Sequence, residues 1–154
     1  MIVMFEPGRA TSADAAEISA LTDSAYEKYV ARIGRKPQPM TAHYDALIAT
    51  DEVWVTRDPA GISGVLVLMP QSDHVLIYSI AVRPTLQRSG LGRRLLAHAE
   101  SRCCHFRFNE VRLYTNQSMI ENIAWYEREG YVETGRDGTS GFQRVNMVKR
   151  ISCA

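Results

Sequence analysis

Apolar positions recur at helical spacing through Ala15, Ile18, Leu21, Ala25 and Val30, and Thr11 or Ser12 stands where a helix cap belongs. Ahead of that helix, residues 6–11 are expected to hold a short first strand and its exit. Gly34, Pro37 and Pro39 break the pattern and mark a loop over 31–39, with a short helix expected over 40–49. Residues 53–57 and 61–69 read as two strands joined at Asp58-Pro59-Ala60-Gly61, a hairpin signal. The run Val75-Leu76-Ile77-Tyr78-Ser79-Ile80-Ala81-Val82 is β-branched and aromatic enough for a buried strand. A helical run follows over 93–100, a strand over 110–115, a helix over 122–130, and two strands over 131–135 and 142–151 across a Gly-rich connection at 136–141. No repeat or low-complexity segment interrupts this order. It predicts one α/β (mixed α+β) domain spanning 1–154, with a mixed, mostly antiparallel sheet covered by helices on both faces.

The junction after the strand at 75–82 carries the sharpest chemical signal. Pro84 cannot donate to a ladder, so the strand stops near it. Gly90 and Gly92 then lead into the next helix. A helix N-terminus presents unpaired N–H groups and a partial positive charge, which favour a phosphate or pyrophosphate. Arg88, Arg93 and Arg94 add cations nearby. The absence of Gly-Lys-Ser/Thr excludes a P-loop. The absence of a third glycine at dinucleotide spacing, and the late position in the chain, argue against a Rossmann first turn.

The pattern Val82-x-Pro84-x-x-Gln87-x-x-Gly90-x-Gly92-x-x-Leu95-Leu96 resembles the acetyl-CoA-binding motif of the GNAT superfamily of N-acetyltransferases. The later Asn122-Ile123-Ala124-Trp125-Tyr126-Glu127-Arg128-Glu129-Gly130-Tyr131 is similar to that family's Asn…Tyr-Glu-x-x-Gly-Phe/Tyr element, in the right order and at the right separation. The resemblance covers nearly the whole chain, the first third in layout more than in residues. It implies acetyl-CoA as co-substrate, held at Gln87, Arg88, Ser89, Gly90, Leu91, Gly92 and Arg93. It also implies a strand pair that starts side by side and then splays, with the pantetheine arm in the opening. That arm would pair with the backbone of Ile80, Ala81 and Val82, using main-chain groups and no particular side chain.

Acetyl transfer to an amine needs a neutral amine, a held thioester, a stabilised oxyanion and a proton for the leaving thiolate. Backbone N–H groups near residues 80–82 can meet the oxyanion. The resemblance implies Tyr126 as the proton donor to the thiolate; a half-buried packing tyrosine is the competing reading. Asn122 could bond the cofactor arm. A common form of the motif, however, places asparagine seven residues before the tyrosine, where this chain has Met119. An amine with a pKa of about 10 benefits from a base. Some relatives carry a glutamate at the place matching Leu76, which this chain lacks. His74, on the same strand face, could serve; an exposed loop histidine or a water chain are the alternatives. Tyr78 on that face could line an acceptor pocket. Tyr26 and Glu27 on the first helix, and the cationic, proline-limited loop beyond it, would supply the rest. Glu27 or Asp45 would suit an ammonium group and Arg35 or Lys36 a carboxylate, and the sequence does not choose.

Composition narrows the function classes. Net charge is +1 and the apolar fraction 45%, giving no reason to expect nucleic acid. No apolar run approaches the roughly 20 residues of a membrane helix, and residues 1–5 lack the basic region and cleavage site of a signal peptide. The three cysteines include the adjacent Cys103 and Cys104, which point in different directions on a helix. Structural disulfides are therefore not expected, and a cytoplasmic location is. Both cysteines lie away from the expected sulfur, arguing against an acetyl-cysteine intermediate. His98, Arg102 and His105 share a helix face that reads as solvated, and no metal is expected. The expectation is an N-acetyltransferase using direct attack by a small amine or amino-acid-like acceptor, with a homodimer possible. The alternatives are a protein lysine or N-terminal acetyltransferase, a non-catalytic acyl-CoA sensor on the same fold and, more distantly, an ATP-binding module.

Overall fold

A computed structural model describes residues 6–139 and 142–153. The reading of residues 1–5 and the end of the Gly-rich connection at 140–141 lie outside the described residues. The elements run β1 Gly8–Arg9, α1 Ala15–Ile33, α2 Tyr44–Thr50, β2 Glu52–Asp58, β3 Gly61–Pro70, β4 Val75–Val82, α3 Leu91–His105, β5 Glu110–Asn116, α4 Ile120–Arg128, β6 Val132–Thr139 and β7 Phe142–Arg150. The strands form one sheet in the order β1-β2-β3-β4-β5-β7-β6. Only β4 and β5 run parallel; every other pair is antiparallel.

Strand β3 explains why the sheet is covered on both sides. Val65, Leu66, Val67 and Leu68 are all fully buried, which two faces of core require. Leu66 and Leu68 join Leu91, Leu95 and Leu96 of α3 in one core, while Val65 and Val67 join Ile18, Leu21 and Tyr29 of α1 in the other. Burying each Leu or Val of this set contributes roughly 1.5–3 kcal/mol.

Helix boundaries depart from the periodicity in three places. A one-turn 3-10 segment, Ser12–Asp14, precedes α1, and the Asp14 carboxylate accepts the Thr11 N–H at 2.9 Å. Helix α1 runs to Ile33, past the start of the expected loop, until Gly34 ends it at φ 87°. The helix expected over 40–49 divides into a 3-10 turn, Gln38–Thr41, and α2, because Ala42 and His43 are extended and the Tyr44 hydroxyl donates back to the Pro39 carbonyl at 2.6 Å.

Two expectations are corrected. Cys104 is disulfide-bonded to Cys153, tying the end of α3 to the C-terminal segment. Their neighbourhood on the helix argued only against pairing Cys103 with Cys104; the distant Cys153 was the partner. The cysteine argument for a reducing compartment therefore falls. The face with His98 and Arg102 is also not simply solvated. His98 packs edge-on against Trp54 at 4.3 Å between centroids, and Arg102 makes a two-pronged ion pair with the buried Glu52 at 2.9 and 2.7 Å. No described helix is long and apolar enough to cross a membrane.

Candidate active site

Strands β4 and β5 pair at only three positions, Val75↔Val111, Leu76↔Arg112 and Ile77↔Leu113. Beyond Ile77 the two strands continue without pairing, to Val82 and Asn116. A bulge causes the divergence: against β3, Val67 pairs with Ser79 and Leu68 with Ile77, leaving Tyr78 as the extra residue. A bulge bends the strand and increases its twist. It also changes which side chains face which core. Val75 and Ile77 face the α3 side, and after the extra residue Ile80 does so instead of the residue that strict alternation would give.

The opening between the strands is a pocket. Its walls are Tyr78, Ser79 and Ile80 of β4, Tyr114, Thr115 and Asn116 of β5, Tyr26 of α1, Asn122 and Tyr126 of α4, Pro37–Pro39 of the loop, and Arg144 of β7. Tyr126 is 6% exposed, and burial holds its phenol well above the usual tyrosine range. The ring is fixed by Trp125 and Tyr131, at 5.0 and 5.9 Å between centroids. Its proton is therefore retained at ordinary pH. Asn122 lies one turn earlier on the same wall, its Oδ1 accepting from the Tyr29 hydroxyl at 3.3 Å. Met119, at the place where the motif has asparagine, is the N-cap of α4 and is buried.

Tyr26 lines the pocket and braces it. Its hydroxyl donates to the Ile80 carbonyl at 3.0 Å, and burial pushes its pKa up to about 12. Ser79 is 3% exposed, and its Oγ has no hydrogen bond among the described residues although the Tyr26 and Tyr44 hydroxyls flank it. Ser79 is thus part of the pocket wall, with its Oγ enclosed between the two tyrosines.

The turn after β4 is built as a cradle. Residues Pro84–Leu86 form a 3-10 turn, Arg88 takes φ 66°, and Gly90 caps α3 at φ 91° with nothing within 4 Å of where a Cβ would stand. Gly90 thereby delivers the chain into α3, whose Leu91 N–H donates to the Ser89 Oγ at 3.4 Å. Gly92 has a different reason to be glycine: a Cβ there would come within 3.0 Å of the Trp125 ring. Gln87 and Ser89 are exposed, Gln87 reaching the Val82 carbonyl at 3.5 Å. Arg93 and Arg94 are engaged by Glu129 and Glu6, at 3.1 and 3.6 Å, which leaves Arg88 as the exposed cation of the loop itself.

Two expected site residues stand apart. His74 lies before β4 beside Asp73, at 2.7 Å, and lines a separate depression with Leu76, Arg112 and Asn146. Glu27 is exposed on α1 while its neighbours Tyr26 and Tyr29 are buried, and it does not line the pocket. Sequence reasoning missed Ser79 and Arg144 as pocket residues. The bulge that turns Ser79 inward has no local marker. The only trace of Arg144 was an arginine among the alternating apolar residues of a strand, Val145, Met147 and their neighbours.

A family model described as an acetyltransferase (GNAT) domain matches residues 49–133. No curated protein matches the chain in sequence. The fold is similar to that of the PaiA N-acetyltransferase from Thermoplasma acidophilum in complex with coenzyme A, with 14% identity, TM-score 0.82, and 96% of this chain and 99% of that one covered. It is also similar to the ribosomal-protein-S18-alanine N-acetyltransferase from Escherichia coli, with 20% identity, TM-score 0.72, and 98% and 96% covered. The IAA acetyltransferase from Bacillus cereus ATCC 14579 aligns at 16% identity and TM-score 0.70 over 96% of this chain and 100% of that one.

Proposed function

Since the chain belongs to the GNAT acetyltransferase family and is an acetyltransferase on that ground, we propose that it moves the acetyl group of acetyl-CoA to the primary amine of a small acceptor by direct attack. The observation that carries this reading is Tyr126, buried and proton-retaining, in the wall of the opening where β4 and β5 part. Acetyl-CoA, when bound, supplies an acetyl group activated as a thioester.

In this reading the edge of β4 at Ile80, Ala81 and Val82 holds the arm through main-chain groups, and an N–H of that edge faces the developing oxyanion. Gln87, Arg88, Ser89, Gly90, Leu91, Gly92 and Arg93 frame the pyrophosphate site. Asn122 orients the arm from α4. Tyr126 gives its hydroxyl proton to the sulfur as the carbon–sulfur bond breaks. The amine loses its own proton to solvent reaching the pocket past Tyr78. His74 is the side-chain alternative as base, and its place in a separate depression favours the water route. A small acceptor is the reading we favour over a protein, because the Pro37–Pro39 segment adds a wall to the pocket.

The test is thermal melting with acetyl-CoA, CoA and ATP, followed by thiol release across a panel of amines. Stabilisation by acetyl-CoA with release for one amine class supports the reading. Stabilisation without release favours an acyl-CoA sensor or a protein acceptor, and protection by ATP alone would replace it.

A further inference from the structure

Resting on the transferase reading above, we propose that the acceptor is a small molecule carrying a carboxylate as well as its primary amine, and that Arg144 is the residue that binds the carboxylate. Arg144 lines the same pocket as Tyr126. It is half-buried on β7 and stacked on the Tyr114 ring, 4.1 Å from its centroid. Its guanidinium donates to the Gln38 Oε1 at 3.4 Å, an oxygen that also accepts from the Tyr114 hydroxyl at 3.1 Å. A neutral amide is thus its only polar protein partner among the described residues.

Other arginines of the chain are treated differently. Arg32 pairs with Glu121, Arg83 with Asp58 and Arg93 with Glu129. Among the described residues no aspartate or glutamate lines the pocket, so the described wall offers one full positive charge and no negative one. Asp137, opposite Arg144 in the β6–β7 register, is taken up by the Asn146 amide at 2.9 Å and makes no ion pair with it, so a ligand carboxylate would supply the charge-assisted, two-pronged contact that the guanidinium lacks. Stacking on Tyr114 and the bond to Gln38 hold the fork in one plane, as recognition of a planar carboxylate requires. An acceptor bearing only ammonium groups would meet the same cation as repulsion. Coenzyme A phosphates are the competing anion, but their cradle is the turn at 87–92, where Arg144 has no part.

The experiment uses the full chain. Calorimetry of the CoA-loaded protein, and thiol release with acetyl-CoA, would compare L-amino acids, β-alanine and 4-aminobutyrate with their carboxamides and the matching alkylamines. These would be run on wild type, Arg144→Gln and Arg144→Lys. We expect at least one carboxylate-bearing amine to exceed its carboxamide by about tenfold or more in affinity and kcat/KM. Arg144→Gln should remove that preference by raising the acceptor KM, Arg144→Lys should restore part of it, and acetyl-CoA affinity should hold in both. Equal use of the carboxamides or alkylamines overturns the proposal. So does a protein that binds acetyl-CoA and none of the carboxylates, or a loss of acetyl-CoA affinity in Arg144→Gln. Failure of wild type to bind acetyl-CoA overturns the transferase reading, and this proposal with it.

Discussion

The Tyr26 hydroxyl donates to the Ile80 carbonyl at 3.0 Å, joining the middle of α1 to the stretch of β4 that has left β5. The bond supplies a partner for a buried main-chain oxygen where the sheet has stopped supplying one on the β5 side. Tyr26→Phe removes it and leaves that carbonyl short of a donor, at a cost of about 1–3 kcal/mol. Chemical denaturation should show the loss as a lower midpoint with unchanged slope. An unaltered midpoint would mean that β4 holds its course without the brace.

The same tyrosine sets an alkaline limit on stability. Burial raises Tyr26 to about 12 from 10.0, and raises Tyr126 as well. Between those values the unfolded chain releases phenolic protons that the folded chain keeps, so unfolding is favoured as pH rises. The stabilisation is complete below about 10 and is lost upward through the folded value. Melting temperature should therefore be level from neutral pH to about 9 and fall from about 10, less steeply in Tyr26→Phe. A melting temperature that is flat up to pH 12 would contradict the burial of these phenols.

Gly92 and Gly90 should respond differently to alanine. At Gly92 the new methyl meets Trp125, whose neighbour is Tyr126, so Gly92→Ala should lower turnover and cost about 1–3 kcal/mol by overpacking. At Gly90 there is space but φ is 91°, so Gly90→Ala should cost about 1–2 kcal/mol of backbone strain and weaken acetyl-CoA binding rather than turnover. Kinetics and denaturation of the two variants separate these effects.

The Cys104–Cys153 bond spans 49 residues of chain. Closing a loop of that length limits the unfolded ensemble by about 4 kcal/mol in the chain-entropy account. Reduction, or Cys153→Ser, should lower the melting temperature by several degrees and leave acetyl-CoA affinity unchanged, because the bond lies at the far end of α3 from the Gly90 cradle. Identical melting curves with and without reductant would contradict the pairing.

The order of elements was legible because β3, β4 and the helices carry their periodicities openly, and the turn after β4 because Pro84 and Gly90 each have a backbone reason to be there, whereas Gly92 is glycine for the Trp125 ring. The shape of the pocket was less legible. A bulge at Tyr78 costs one unpaired residue and leaves no residue type behind, yet it turns Ser79 into the opening and parts β4 from β5. Arg144 enters from a strand 66 positions after Tyr78, placed by the β5–β7 pairing, which no local pattern encodes. Strand alternation expected His74, Leu76 and Tyr78 on one face, but His74 and Leu76 line a depression at the end where β4 and β5 are still paired, while Tyr78 lines the opening.

The most direct test of the account is single-turnover thiol release with an active acceptor, measured on wild type and Tyr126→Phe together with acetyl-CoA affinity. The account predicts a loss in turnover of about 100-fold or more, with affinity within about twofold of wild type. Undiminished turnover in Tyr126→Phe would contradict the role of Tyr126 as proton donor, and loss of acetyl-CoA affinity instead of turnover would make it a packing residue of the cleft.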